Sequence, residues 1–226
     1  MWRQPVEQLG FVVTPPLLTA AEIATLATAL RQPTVSRSRA GVRHALGLAE
    51  VASLARDPRL LSIAKEILGE EAFPYHATLF DKSPTSNWLV VWHQDTALPI
   101  RERKALAGWG PWSVKEGVNY AHAPANALRQ VLALRVHLDD STEHNGPLRV
   151  LPGTHTRGVL SDEEIERLVP EAAPVDCVVR RGGVLAMRPL IVHSSSKSRD
   201  DHPRRVLHIE YGASIFPAEG LELAVA

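Results

Sequence analysis

The feature that most restricts what this chain can fold into is the pattern that begins near residue 78. From there the sequence breaks into short runs rich in β-branched and aromatic residues, "NWLVVWH", "VLALRVHL", "PLRVL", "PVDCVVR", "GVLAMR" and "RVLHIEY", separated by Gly, Pro, Asn and Asp. Runs of this kind pair as antiparallel strands, and a series of them folds into a sandwich or a barrel. Helical signals lie upstream. Thr19 followed by Glu22 forms a capping-box pattern ahead of "AEIATLATALRQ", and Asp57 with Pro58 opens a second helix through "RLLSIAKEIL" that ends at Gly69. The expected architecture is therefore mainly β with flanking helices, the helices over about 19–69 and the strands over about 76–213. A chain of 226 residues is most simply one domain, residues 1–226, burying roughly 70% of its unfolded surface.

One stretch departs from the strand pattern. Residues 96–126, "TALPIRERKALAGWGPWSVKEGVNYAHAPAN", are too long for a hairpin loop and read as a lid-like insertion. Trp109 and Trp112 argue against disorder there, and either pack against the scaffold or, with Tyr120, line a substrate mouth. The basic stretch "RSRAGVRH", residues 37–44, reads as a solvated loop ahead of an anion site.

Composition removes several function classes. With 25 basic and 25 acidic side chains the chain lacks the positive footprint of a nucleic-acid binder, so a small molecule is the expected partner. The single cysteine, Cys177 in "PVDCVVR", excludes an internal disulfide and reads as a small buried hydrophobe. The opening "MWRQPVEQLGFVVTPPLL" has no signal-peptide pattern, and no run approaches the length of a membrane span, so a cytoplasmic protein, monomeric or weakly self-associating, is expected.

The chemistry-bearing candidates are histidines next to acids. Ten His and 25 Asp plus Glu yield about one His-x-acid by chance at ordinary composition. Three are present: His93-Gln94-Asp95, His137-Leu138-Asp139 and His208-Ile209-Glu210. On a strand, residues two apart share a face, so His93 and Asp95 can offer a nitrogen and an oxygen to one metal. Two His and one carboxylate on one octahedral face is the ligand set of non-haem iron oxygenases. His193, ending the apolar run of "GGVLAMRPLIVHSSS", fits as the third ligand. In the following "HPRRVLHIEY", Arg204, Val206 and His208 alternate onto one face and Arg205, Leu207 and Ile209 onto the other. A guanidinium at Arg204 could grip a carboxylate through two parallel bonds.

Taken in order, these words resemble the phytanoyl-CoA dioxygenase (PhyH) family of iron(II)- and 2-oxoglutarate-dependent oxygenases. "LGFVVTPPLLTAAEI" resembles the opening strand and helix of that family, "LFDKSP" precedes "WHQDT", "LALRVHLDDSTEHNGPLRVLPGTH" resembles its signature hairpin, and "GGVLAMRPLIVHSSS" with "PRRVLHIEYGA" resembles its distal block. The resemblance implies a double-stranded β-helix, a jelly-roll or cupin-like barrel. It implies that His93, Asp95 and His193 are the metal ligands and catalytic centre, and that Arg204, with Arg205 as the fallback, holds the far carboxylate of the co-substrate. Lys82 and Ser195 match further co-substrate positions.

By the same resemblance Fe(II), 2-oxoglutarate and O2 are the cofactors. The implied reaction hydroxylates, or otherwise oxidises, an unactivated C–H bond and releases succinate and CO2. Aspartate at position 95, where related halogenases place a small residue, points to hydroxylation. Asp139 and Asp140 are assigned to turn chemistry and His137 to a wall of the pocket. His208 and Glu210 take a structural or supporting role, and His122 and His155 are left at the surface. Nothing in the sequence resembles a recognition module for a CoA nucleotide. Two other readings stand beside this one: a catalytically silent metal-binding or sensing member of the same fold, and a cupin-like metal enzyme that does not use 2-oxoglutarate. Arg204 separates them, because only a dicarboxylate co-substrate gives it a task.

Overall fold

A computed structural model describes residues 1–31, 41–83 and 86–225. Its frame is two antiparallel sheets packed face to face. The larger has six strands in the order β1 (Phe11–Val13), β11 (Val184–Met187), β8 (Val131–His137), β13 (Arg204–Gly212), β3 (Phe73–Lys82) and β2 (Gly41–Val42). The smaller has four: β10 (Val175–Cys177), β9 (Leu148–Val150), β12 (His193–Ser195) and β4 (Val90–His93). This is the double-stranded β-helix expected of the chain, but an open one: the two sheets do not join into a closed barrel among the described residues.

Strand alternation decides what each face of the large sheet does. Leu132, Leu134 and Val136 of β8, Leu207, Ile209 and Tyr211 of β13, and Ala77 and Leu79 of β3 point outward into one buried cluster. Four helices cover that face: α1 (Arg3–Leu9), α2 (Ala20–Ala29), α3 (Ala49–Ala55) and α4 (Pro58–Leu68). The helix starts follow their sequence signals. Thr19 and Glu22 make both bonds of a capping box, and Asp57 accepts from the Arg59 N–H at 2.9 Å ahead of Pro58, arrangements that stabilise a helix by about 1 kcal/mol each. The opposite face of the large sheet meets the small one over Ala133, Leu185 and Met187 against Leu148, Val150 and Cys177. Cys177 is buried, and burial pushes its thiol up to about 12. The outer face of the small sheet is covered in part by α6 (Asp162–Leu168), where Ile165 packs with Val192 and Trp92.

The insertion over residues 96–126 is not a structureless lid. It folds into a three-stranded antiparallel sheet, β5 (Ala97–Ile100), β7 (Val118–His122) and β6 (Trp112–Lys115), followed by the short α5 (Ala125–Leu128). Trp109 packs in a second cluster with Leu98, Ile100 and Leu128, and Trp112 lies against it, so both tryptophans serve the scaffold. Among the described residues no helix is long and apolar enough to cross a membrane.

Candidate active site

Between the sheets lies a cleft of about 420 Å³. Its small-sheet wall carries the first cluster. His93 closes β4 and stands directly opposite His193 of β12, their rings 4.3 Å apart. Each ring donates from Nδ1 to a carbonyl two residues back, Val91 and Ile191, both at 2.9 Å. Those bonds fix the tautomer and leave both Nε2 lone pairs free. Asp95 completes the trio, with oxygens 3.5 Å from His93 Nε2 and 3.6 Å from His193 Nε2. All three ligand atoms lie within 4.8 Å of one another.

The residue between them sets the geometry. Gln94 points the other way and is buried, donating from Nε2 to the Leu190 and Gly158 carbonyls at 2.7 and 2.9 Å and accepting from the Leu160 N–H at 2.8 Å. The Asp95 N–H donates to the Pro189 carbonyl at 3.0 Å. Four hydrogen bonds to backbone groups therefore hold the turn after β4.

The three groups shift one another's titration. Burial presses against ionisation of Asp95, but the imidazoles of His193, His93 and His208 outweigh it and hold the carboxyl far below the usual range. Burial brings His193 down to about 4, against the pull of Asp95. For His93 burial acts downward, and the contact with Asp95 prevails and raises it. One carboxylate and two imidazoles with their Nε2 lone pairs converging form a donor set that fits a divalent iron on three sites of one octahedral face.

The large-sheet wall carries a grid. The register aligns Lys82 with Arg204, then Phe80 with Val206 and His137, then Thr78 with His208 and Arg135, and finally His76 with Glu210 and Ala133. In the first row, Lys82 Nζ donates to Ser195 Oγ at 3.0 Å and to the Ser196 carbonyl at 2.7 Å. Arg204 reaches the same hydroxyl at 3.3 Å and donates to the Asn145 carbonyl at 3.2 Å. Ser195 Oγ lies 2.9 Å from the Gly146 carbonyl. Gly146 has φ of 67°, and a Cβ there would stand 2.3 Å from the Ser196 carbonyl oxygen, so this approach requires glycine. Neither Lys82 nor Arg204 has an acidic partner among the described residues. Burial, with Arg204 and Arg135 nearby, brings Lys82 down to about 7, and burial with Arg135 brings Arg204 to about 9.

Arg205 is excluded from this role. It faces outward and grips Asp139 through two bonds at 2.7 and 2.8 Å, so Asp139 does more than shape a turn. His137 is 1% exposed with neither ring nitrogen bonded, and it is buried behind the cleft lining instead of forming the expected wall of the pocket.

Toward the insertion, a chain of polar groups was not legible in sequence. Tyr120 Oη meets His76 Nε2 at 3.1 Å, His76 Nδ1 meets Glu210 at 2.7 Å, and Tyr75 donates to Glu210 at 3.2 Å. Tyr120, His76, Glu210, His208 and Arg43 line the cleft. His122 is exposed, as expected, and stands at the rim of the cleft with its Nδ1 2.7 Å from Thr96 Oγ1. His155 lies outside the cleft, against the Glu7 carbonyl at 3.1 Å. Of the basic stretch 37–44, residues 37–40 lie outside the described residues. The strand register pairs His76 with Glu210, and the packing of the three-stranded sheet against them adds Tyr120, so the polar chain appears only in the folded structure.

A double-stranded β-helix with this donor trio at its cleft defines a class of protein built around one metal-sized site. The chain belongs to the phytanoyl-CoA dioxygenase (PhyH) family, whose profile it matches over residues 6–206. Among its relatives is an L-proline trans-4-hydroxylase of Streptomyces griseoviridis, 27% identical over 186 residues, which cover 71% of this chain and 62% of that protein. An ectoine dioxygenase of Bordetella bronchiseptica is 25% identical over 214 residues, 81% of this chain and 62% of the relative. The chain thus spans about three-fifths of the length of these curated relatives. The crystal structure of the epimerase SnoN in complex with Fe3+, alpha ketoglutarate and nogalamycin RO shares the fold, with a TM-score of 0.67 and 21% identity over 93% of this chain and 82% of that one.

Proposed function

We propose that this protein is an Fe(II)- and 2-oxoglutarate-dependent dioxygenase that oxidises a C–H bond of a small molecule. The observation that carries the reading is the pairing, across one cleft, of a metal-sized donor trio with two buried cations that lack an acidic partner among the described residues. His93, Asp95 and His193 would hold the iron, and Lys82 and Arg204 would hold the far carboxylate of 2-oxoglutarate. Bound there, iron supplies oxygen activation coupled to decarboxylation of 2-oxoglutarate to succinate and CO2. The rest of the task falls to the chain. Lys82 and Arg204 are held toward one acceptor before any ligand arrives, which lowers the cost of ordering them. Phe80 and Val206, with His137 beside them, form the row between the cation end and the outer rows. Asp95 fills with a carboxylate the coordination place that a halide would need, which supports hydroxylation as the outcome.

The relatives named for proline and ectoine support a small-molecule substrate. The test is anaerobic addition of Fe(II) and 2-oxoglutarate to the purified protein. We expect a metal-to-ligand charge-transfer absorption in the visible range. Iron-loaded, folded protein that shows no such band rules the proposal out.

A further inference from the structure

One cation in the cleft has no place in the scheme so far. Arg135 sits in the third row of the large-sheet wall and is 6% exposed. Its Nη1 lies 2.9 Å from His208 Nδ1, its guanidinium stands 5.3 Å from the Phe80 ring centroid, and its buried Nε has no partner. No acidic side chain among the described residues pairs with it. Burial pushes the guanidinium below its ordinary value, with Asp95 the main group acting against this. A buried guanidinium with an idle donor costs several kcal/mol of desolvation unless a ligand compensates it.

Charge and position say which ligand. The far carboxylate of 2-oxoglutarate is served by Lys82 and Arg204 in the first row. Its other carboxylate and Asp95 together offset a divalent iron. Arg135 is left with no acidic partner among the described residues. Two residues along a strand span about 7 Å. His193 is one such step along β12 from Ser195, which touches the first row, whereas Arg135 aligns with His208, two steps along β13 from Arg204. The guanidinium therefore lies further toward the insertion than His193, next to the row of His76 and Glu210, on the side left to the primary substrate.

Resting on the dioxygenase reading above, we propose that Arg135 is a specificity-determining residue that recognises a carboxylate on the primary substrate. His208 orients it, accepting on Nδ1, and the Phe80 ring stacks below it. The planar fork then presents Nε and a terminal nitrogen to the two oxygens of the carboxylate.

The test uses an acid–amide pair of one shape, benzoate and benzamide, titrated by calorimetry into anaerobic protein holding Fe(II) and saturating 2-oxoglutarate. We expect benzoate to bind at least roughly tenfold more tightly than benzamide, with the charge-transfer band retained, and Arg135→Gln to abolish the preference. Arg135→Lys keeps a preference for the acid. In the same Arg135→Gln protein the 2-oxoglutarate affinity stays within about threefold of wild type. Without ligands, its unfolding temperature is at or above that of wild type, because an uncompensated buried charge is gone.

Equal binding of the pair, binding of neither, loss of the band on adding benzoate, or a preference that survives Arg135→Gln overturns the assignment. A tenfold loss of 2-oxoglutarate affinity in that variant moves Arg135 to the co-substrate and also overturns it. A lowered unfolding temperature with the acid preference intact marks a structural residue. Failure of the dioxygenase reading shows separately, as absence of the band in wild type, and calorimetry still compares acid with amide.

Discussion

The large-sheet wall of the cleft presents its charges on strands of ten, seven and nine residues, β3, β8 and β13, backed by four helices. The small-sheet wall presents its histidines at the ends of strands of four and three residues, β4 and β12, and places Asp95 in the turn beyond. The difference follows from what each wall must hold. Lys82, Arg204 and Arg135 repel one another until an anion arrives, so only a long, well-backed sheet keeps them in place. The donor trio would attract a cation and be drawn together by it, so short strands and the Gln94 clamp would suffice.

The comparison can be broken most directly at the ligand wall. Asp95→Ala should cost at least about 100-fold in iron affinity, and the thermal stabilisation by saturating metal, about 2.7 kcal/mol at a hundred times Kd, should vanish with it. Metal titration and melting curves of the two proteins check this. At the cation wall, Arg204→Ala should weaken 2-oxoglutarate by roughly 10- to 100-fold while iron binding stays near wild type. Equal loss of both would mean that the walls do not act separately.

Lys82 gives a smaller, pH-dependent effect. It faces Arg204 and Arg135, and burial with these neighbours brings its amine down to about 7. Below that pH it is charged and attracts the carboxylate; above it the charge is lost. Affinity for 2-oxoglutarate should therefore fall by roughly three- to tenfold as the pH rises from about 6 to 8.5, and Lys82→Met should flatten the curve. The smallest effect is at His137, one row from the cations and unbonded: His137→Ala should leave iron stoichiometry unchanged, measured by metal analysis of the folded variant.

How much of this was legible depended on distance along the chain. The caps at Thr19 and Asp57 are local signals, and both helices start where the sequence places them. That His93 and His193 meet was legible because each ends an apolar run, and the alternation of Arg204 and His208 against Arg205 and Leu207 matches the cleft and helix faces. The place of Arg135 in the site was not legible locally, since only pairing with β13 sets it beside His208. The insertion misled because its strands are four or five residues long and interrupted by Pro99, Gly108, Gly110 and Pro111, which mask the two-residue period. Trp109 and Trp112 were candidates for the mouth by composition, but large rings also fill a small satellite core, and that is where they went.

The glycine at position 146 has an effect on the far side of the cation wall. A carbonyl cannot donate, so the 2.9 Å contact commits the hydrogen of Ser195 to Gly146. The Ser195 oxygen is left with lone pairs alone, and it spends them on Lys82 and Arg204. Its polarity is thus fixed from the hairpin: it steadies the two cations, and a carboxylate arriving there would be left to them. A side chain at position 146 would push the hairpin away, free that hydrogen to turn, and set a donor where the site needs an acceptor.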